Sequence, residues 1–195
     1  MADITMRIST PGLDAAARRL SPAARAAMHS EIAGRIQTVV DNHLASYAIT
    51  HHATANRLGA SPTNNIEDAK VTAESGAGGA RVTVAAKGIR RALGPVVIRP
   101  RNKAALTLPV AALAYGHTVA DLKRSGVAVF RPKGRNYLAY RENPKSQFST
   151  VLYILAKRAV LKHEPGLLPD AATLAANATD AARAFLLETE RVPAK

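Results

Sequence analysis

Few residues in this sequence could do chemistry. His51 and His52 stand side by side, and imidazole can bind a metal or carry a proton near neutral pH. Neighbours on a helix point about 100° apart, so the pair cannot converge on one ion without a third ligand. The nearest acids, Glu67 and Asp68, lie beyond a turn, and the pair reads as a helix-end feature. Gly76-Ala77-Gly78-Gly79 has neither the Lys-Ser or Lys-Thr ending of a phosphate-binding loop nor the G-x-G-x-x-G order of a dinucleotide site, so it reads as a flexible strand connection. No G-x-S-x-G elbow occurs. Cysteine is absent, which excludes disulfides, thiolate zinc sites and cysteine nucleophiles. Asn177-Ala178-Thr179 matches a glycosylation acceptor, but Met1-Ala2-Asp3-Ile4-Thr5 lacks the basic-then-apolar order of a signal peptide, so no role follows from it. These residues predict no catalytic, cofactor-binding or metal site, and no enzyme.

Charge is the remaining chemistry. The 195 residues carry 27 Lys/Arg against 14 Asp/Glu, a net +13. Between Arg81 and His163 there are 17 Lys/Arg and only two acids, Asp121 and Glu142, a local +15; the rest of the chain, with 10 against 12, is −2. Carboxylates are too scarce in that block to pair a general acid with a base. Six cations cluster in two loops, Arg99, Arg101 and Lys103 in the first and Arg131, Lys133 and Arg135 in the second. Such loops can bind phosphates, with affinity falling steeply as salt rises. Tyr137 and Tyr140 are the only candidate stacking platforms, and no helix-turn-helix, zinc-finger or RNA-binding signature accompanies them. Cationic tips that dock into acidic protein surfaces, or line a channel for DNA, fit equally well. So does a basic face that serves only solubility.

These loops need elements to hold them. Apolar residues make up 47% and charged residues 21%, ordinary globular usage for a chain of about one domain. Aromatics are 4% with no Trp, and Ala recurs; at about 25 cal/mol per Å2 such a core is modest, so part of the stability is expected from association with other chains. No run approaches the ~20 apolar residues of a membrane span, and a soluble, non-secreted protein is expected. Leu13 to Leu20 predicts a short helix. Ser21-Pro22 restarts the chain as N-cap and first helical residue. Met28, Ile32, Ile36, Val39, Val40, His43 and Tyr47 then form one apolar stripe, continuing through Ala53 to Leu58 before Gly59. In the middle third Arg81 to Ala85 alternates as a strand. Val96–Ile98 with Ala105–Leu108, and Val127–Phe130 with Tyr137–Tyr140, read as two strand pairs joined by the basic loops. Val151–Ala156 reads as a strand, and Leu174, Ala178, Ala181, Phe185 and Leu186 mark a last helix over 170–191. The order predicts an α+β fold with a long N-terminal helix, a central antiparallel sheet with basic hairpin loops, and a C-terminal helix. Its regions are 1–60, 61–166 and 167–195, within one domain.

The order of segments resembles the tail-completion and virion-morphogenesis proteins of tailed bacteriophages, found at the head–tail junction. The resemblance rests on His51 to Ala60, Thr63 to Ala69, Gly88-Ile89-Arg90-Arg91-Ala92-Leu93-Gly94, Ile98 to Pro109, Ala114-Tyr115-Gly116, Phe130-Arg131-Pro132-Lys133-Gly134 with Leu138, and Val151 to Lys157, within about positions 51 to 169. The helices at 22–58 and 170–191 are larger than compact members of that group carry. The resemblance implies a non-enzymatic virion protein, made in the host cytoplasm, whose copies form a ring, typically sixfold, joining tail tube to connector as a tail terminator or neck adaptor. Its implied partners are further copies of itself, the neighbouring neck, connector and tube proteins, and non-specifically the DNA in the channel. It implies no cofactor and no membrane. On this reading Arg99–Lys103 and Arg131–Arg135 contact adjacent rings or face DNA. The alternative is a basic nucleic-acid-binding accessory protein.

Overall fold

A computed structural model of the chain describes residues 2–8, 14–60, 68–76, 78–143 and 145–191. The elements run β1 (Ala2–Ile8), α1 (Asp14–Arg19), α2 (Pro22–Thr50), α3 (Ala53–Leu58), β2 (Lys70–Gly76), β3 (Gly79–Ala86), β4 (Val96–Ile98), β5 (Leu106–Pro109), α4 (Val119–Arg124), β6 (Tyr137–Tyr140), β7 (Thr150–Ala156), β8 (Ala159–Leu161) and α5 (Ala171–Arg191). The fold is mixed helix and sheet, with all strand pairs antiparallel and the strands divided among three small sheets. Two compact units form: Met1–Thr50 with Asn65–Gly94 and His163–Lys195, and His51–Asn64 with Pro95–Lys162. Both cut across the three linear regions read from the sequence. Among the described residues, no helix is long and apolar enough to cross a membrane.

In the first unit, Ser21 caps α2 by accepting the Ala24 N–H at 3.2 Å, and Pro22 occupies the first turn, where its missing N–H costs nothing. Met28, Ile32, Ile36, Val40, Leu44 and Tyr47 are buried at spacings of three and four. Val39 and His43, expected in that stripe, flank it half-buried. The stripe faces the β1-β3-β2 sheet, and α5 packs on α2 with Ala178 and Ala182 fully buried, small enough to let the helices approach closely. The helix expected to run on to Leu58 is broken at His51–His52. The Thr50 hydroxyl donates back to the Ser46 carbonyl at 3.0 Å, and His52 leaves helical geometry at φ −118°, ψ 28°. Helix continues as α3 and stops at Gly59, whose φ of 62° suits glycine as the left-handed cap.

One polar cluster ties three segments of this unit. The Tyr47 hydroxyl on α2 donates to Glu164 Oε1, while Arg91 Nη1 meets Glu164 Oε2 at 2.7 Å. The Glu164 N–H also bonds the Arg91 carbonyl at 2.9 Å. Burial pushes the Glu164 carboxyl above its ordinary value and the Arg91 guanidinium below its own, since desolvation disfavours both charges.

In the second unit β7 is the centre of a β5-β7-β6 sheet. Leu152, Tyr153, Ala114 and Leu122 form the core, with Val127, Val129, Leu138 and Tyr140 packed around it. The Tyr153 hydroxyl donates to the His117 carbonyl at 2.8 Å. Thr118 and Asp121 form a reciprocal capping box at the start of α4.

The two expected hairpins are rearranged. Val96–Ile98 does not pair with the strand after its loop: β4 pairs with β8, and β5 pairs with β7. Leu152 and Tyr153 are both buried, so β7 is covered on both faces and takes a central place with β5 on one edge and β6 on the other. The loop over 99–105 is also longer than the two to five residues usual for a hairpin. Val127–Phe130 forms no regular strand, only a bridge from Phe130 to Ala139 with both N–H···O bonds at 2.9 Å. The register of β6 against β7 shifts between Leu138 and Ala139, and pairing resumes beyond it as Ala139 with Val151 and Tyr140 with Thr150.

Ile36 and Leu152 are fully buried in the two cores. Replacing either by Ala is expected to cost about 2–5 kcal/mol in chemical denaturation, whereas Ile49→Ala, at a position 76% exposed, leaves the midpoint nearly unchanged. Asp170 caps α5, accepting the Thr173 N–H and hydroxyl, each at 2.8 Å, and these bonds hold its carboxyl below the ordinary value. A lowered folded pKa contributes stability above the ordinary carboxylate range that is lost as pH falls through the lowered value. Thermal midpoints are expected to drop on acidification below about pH 4, and Asp170→Asn to remove part of that slope, as read by circular dichroism.

Candidate basic interface

The charge asymmetry is sharper between the two units. The first unit holds 13 Lys/Arg and 12 acids, a net +1; the second holds 14 Lys/Arg and two acids, a net +12. One end of β7 collects most of that excess. Ala156, its last residue, pairs with Leu106, the first residue of β5, into which the loop over 99–105 leads. Ile154 pairs with Tyr137, the first residue of β6, and the Leu155 N–H bonds the Asn136 carbonyl at 2.8 Å, anchoring the foot of the 131–136 loop. Beyond Ala156 the chain runs through Lys157 and Arg158 into β8, whose Ala159 pairs with Ile98, the residue before Arg99.

The same end therefore carries Arg99, Arg101 and Lys103 from one loop and Arg131, Lys133 and Arg135 from the other, with Lys157 and Arg158 between them. All eight are exposed. The second loop is a defined turn. The Arg135 N–H bonds the Pro132 carbonyl at 3.1 Å, Gly134 takes φ 71°, and Arg131 Nε donates to the Arg135 carbonyl at 2.9 Å. Gly134 is there because that φ is strained for any residue with a Cβ.

No acid of the same unit opposes this cluster. Of the unit's two acids, Glu142 follows the opposite end of β6. Asp121 is held in α4 by the Thr118 hydroxyl and N–H and by Arg124 at 2.6 Å; the Thr118 bonds lower its pKa most. Among the described residues none of the eight cations forms an ion pair. Like charges gathered this way repel, and an anionic partner relieves the repulsion. Apolar side chains lie beside them: Ile154 on β7 and the cross-strand pair Val97 and Val160 are 46%, 54% and 60% exposed.

The six cations singled out from the sequence thus come to one end of one sheet. Lys157 and Arg158 were missed. Their signal, two cations directly after an apolar strand, has meaning only once that strand is known to lie between the two loops. His51 and His52 sit in the break between α2 and α3, and no group of three His, Cys, Asp or Glu side chains able to hold a metal occurs among the described residues. In comparisons with family models, curated proteins and solved structures, the chain matches none.

If the eight cations act as one patch, Lys157→Gln with Arg158→Gln is expected to lower the salt concentration of elution from a cation exchanger. The fall should match that from Arg131→Gln with Arg135→Gln, and should exceed that from Arg18→Gln with Arg183→Gln in the near-neutral unit.

Proposed function

We propose that this protein is a non-catalytic structural component of a tailed-phage virion at the head–tail junction, serving as a tail-completion or terminator protein or a neck adaptor. Its copies assemble in a ring, and the basic end of β7 docks onto an acidic face of a neighbouring layer. The observation that carries this reading is the set of eight exposed, acid-free cations at one end of a small sheet. The order of segments over 51–169, with its resemblance to virion-morphogenesis proteins, supports the same reading. So do the exposed Ile154, Val97 and Val160 beside the cations, because a protein surface offers apolar contacts that a phosphate backbone does not.

The second reading, a nucleic-acid-binding accessory protein, draws on the same cations as phosphate ligands. One pair of measurements separates them. A virion component is found in purified particles at a fixed copy number, by mass spectrometry, and binds free duplex DNA weakly. The accessory protein is missing from particles and binds duplex with a log–log salt slope of about −0.9 per phosphate contact, steep if most of the eight engage. Absence from particles together with such a slope overturns the structural reading.

A further inference from the structure

We propose that copies of this chain join head to tail through the two edges of the β1-β3-β2 sheet, with β2 of one copy lying parallel to β1 of the next, so that one sheet continues across subunits. The inference deepens the ring reading above and rests on it. It names a contact in the near-neutral unit, which holds none of the eight cations.

The observation is a pattern in the register. On the face away from α2 the three strands align in rows: Asp3, Ala85 and Lys70; Thr5, Thr83 and Thr72; Arg7, Arg81 and Glu74. The residues of both edge strands in these rows are exposed. Read along its strand, the β1 edge is acid, Thr, base, and the β2 edge is base, Thr, acid. Setting the β2 edge against the β1 edge of a second copy, with rows aligned, puts Lys70 beside Asp3, Thr72 beside Thr5 and Glu74 beside Arg7. Among the described residues of one copy Glu74 pairs only with Arg81, at 3.9 Å and well exposed, so solvent screens that pair and leaves Glu74 able to take a second cation.

The backbone is in the right phase for this contact. Gln37 Nε2 donates to the Val71 carbonyl at 3.1 Å, so that carbonyl points off the β3 ladder. By alternation Val71, Ala73 and Ser75 turn their backbone groups to the free edge of β2, and across β3 Asp3, Thr5 and Arg7 do so on β1. In a parallel ladder with rows aligned, the Ala73 N–H meets the carbonyl of Thr5 of the next copy, and the Ala73 carbonyl meets the N–H of its Arg7. Beneath, Val71 falls beside Ile4 and Ala73 beside Met6, extending the apolar inner face. Neither strand has a proline or a break in register: β1 and β2 contain no proline, and each pairs with β3 over seven residue pairs. The edge charges that would deter a random partner are matched in sign across this contact, and the Val71 carbonyl, which already accepts from Gln37, keeps a second lone pair. Among the described residues, the backbone of β1 bonds only to β3. A two-fold pairing of β1 with β1 also sets Asp3 against Arg7, but it closes at two copies and leaves the complementary β2 edge open. A ring of head-to-tail contacts leaves no edge open.

Two charge reversals test this, with folding checked by circular dichroism and association followed by sedimentation velocity. Arg7→Glu gives a chain acidic at this row on both edges, and Glu74→Arg gives one basic on both. The wild-type chain is expected to form oligomers, each variant alone to lose them at the same concentration, and an equal mixture of the two to restore them, since every alternating contact is then Glu against Arg. Oligomers that persist in Glu74→Arg alone, or that fail to return in the mixture, overturn the edge contact while leaving the ring reading standing. A wild-type chain that stays monomeric at high concentration overturns both.

If either reversal fails to fold, the absence of cysteine allows a second test. In the Thr5→Cys, Thr72→Cys double variant the two thiols of one copy lie on strands separated by β3, roughly 9.5 Å apart, beyond disulfide reach. Mild oxidation is expected to give a covalent ladder extending past the dimer. A dimer formed by Thr5→Cys alone, or no ladder from the double variant, overturns the proposal.

Discussion

Leu152 and Tyr153 are consecutive residues and both are buried, a condition a strand meets only when both of its faces are covered. That constraint places β7 between β5 and β6, and the rest of the second unit follows from it. The two flanking strands begin at the end where β7 finishes, so the loops that feed them arrive together, and the return into β8 adds Lys157 and Arg158. The charge cluster is thus a consequence of strand order. Among the described residues none of the cations has an acidic partner; the backbone ladder of an apolar strand brings their loops together.

The first unit solves a different problem. With few aromatics, it gains its core from one long helix whose stripe serves the sheet while α5 packs against the helix through alanines. The Tyr47, Arg91 and Glu164 cluster ties in the 3-10 turn that follows β3 and the segment returning to α5. Burial disfavours both charges of that ion pair, which offsets part of what their attraction contributes. The sheet is left with its outer face wet and with β1 and β2 as outer strands that no further strand covers among the described residues, which suits a subunit completed by its neighbours in the proposed assembly.

In the proposed assembly the division of charge, a near-neutral first unit and a strongly basic second, separates two tasks: contacts between copies, where like charges oppose association, and contacts with an acidic surface, where they favour it. In the proposed reading the sheet edges serve the first task and the end of β7 serves the second.

Much of the local structure could be read from the residues themselves. Ser21-Pro22, the stripe from Met28 to Tyr47 and the capping Gly59 define α2 and the end of α3, because caps and helical periodicity act within a few residues. The alternation of Asp3-Ile4-Thr5-Met6-Arg7 was equally present, yet β1 went unread, since a terminal strand is stable only once β3 lies beside it. The break at His51–His52 escaped for a similar reason: a stripe does not reveal that the helices on its two sides belong to different units. The six loop cations and the local excess of charge were legible as composition. Their convergence, the addition of Lys157 and Arg158, and the complementary rows on the edges of the first sheet were decided by tertiary structure alone. The partners in β1 with β3, β4 with β8 and β5 with β7 lie more than 40 residues apart, and only the burial of β7 and the register of β3 select which of them meet.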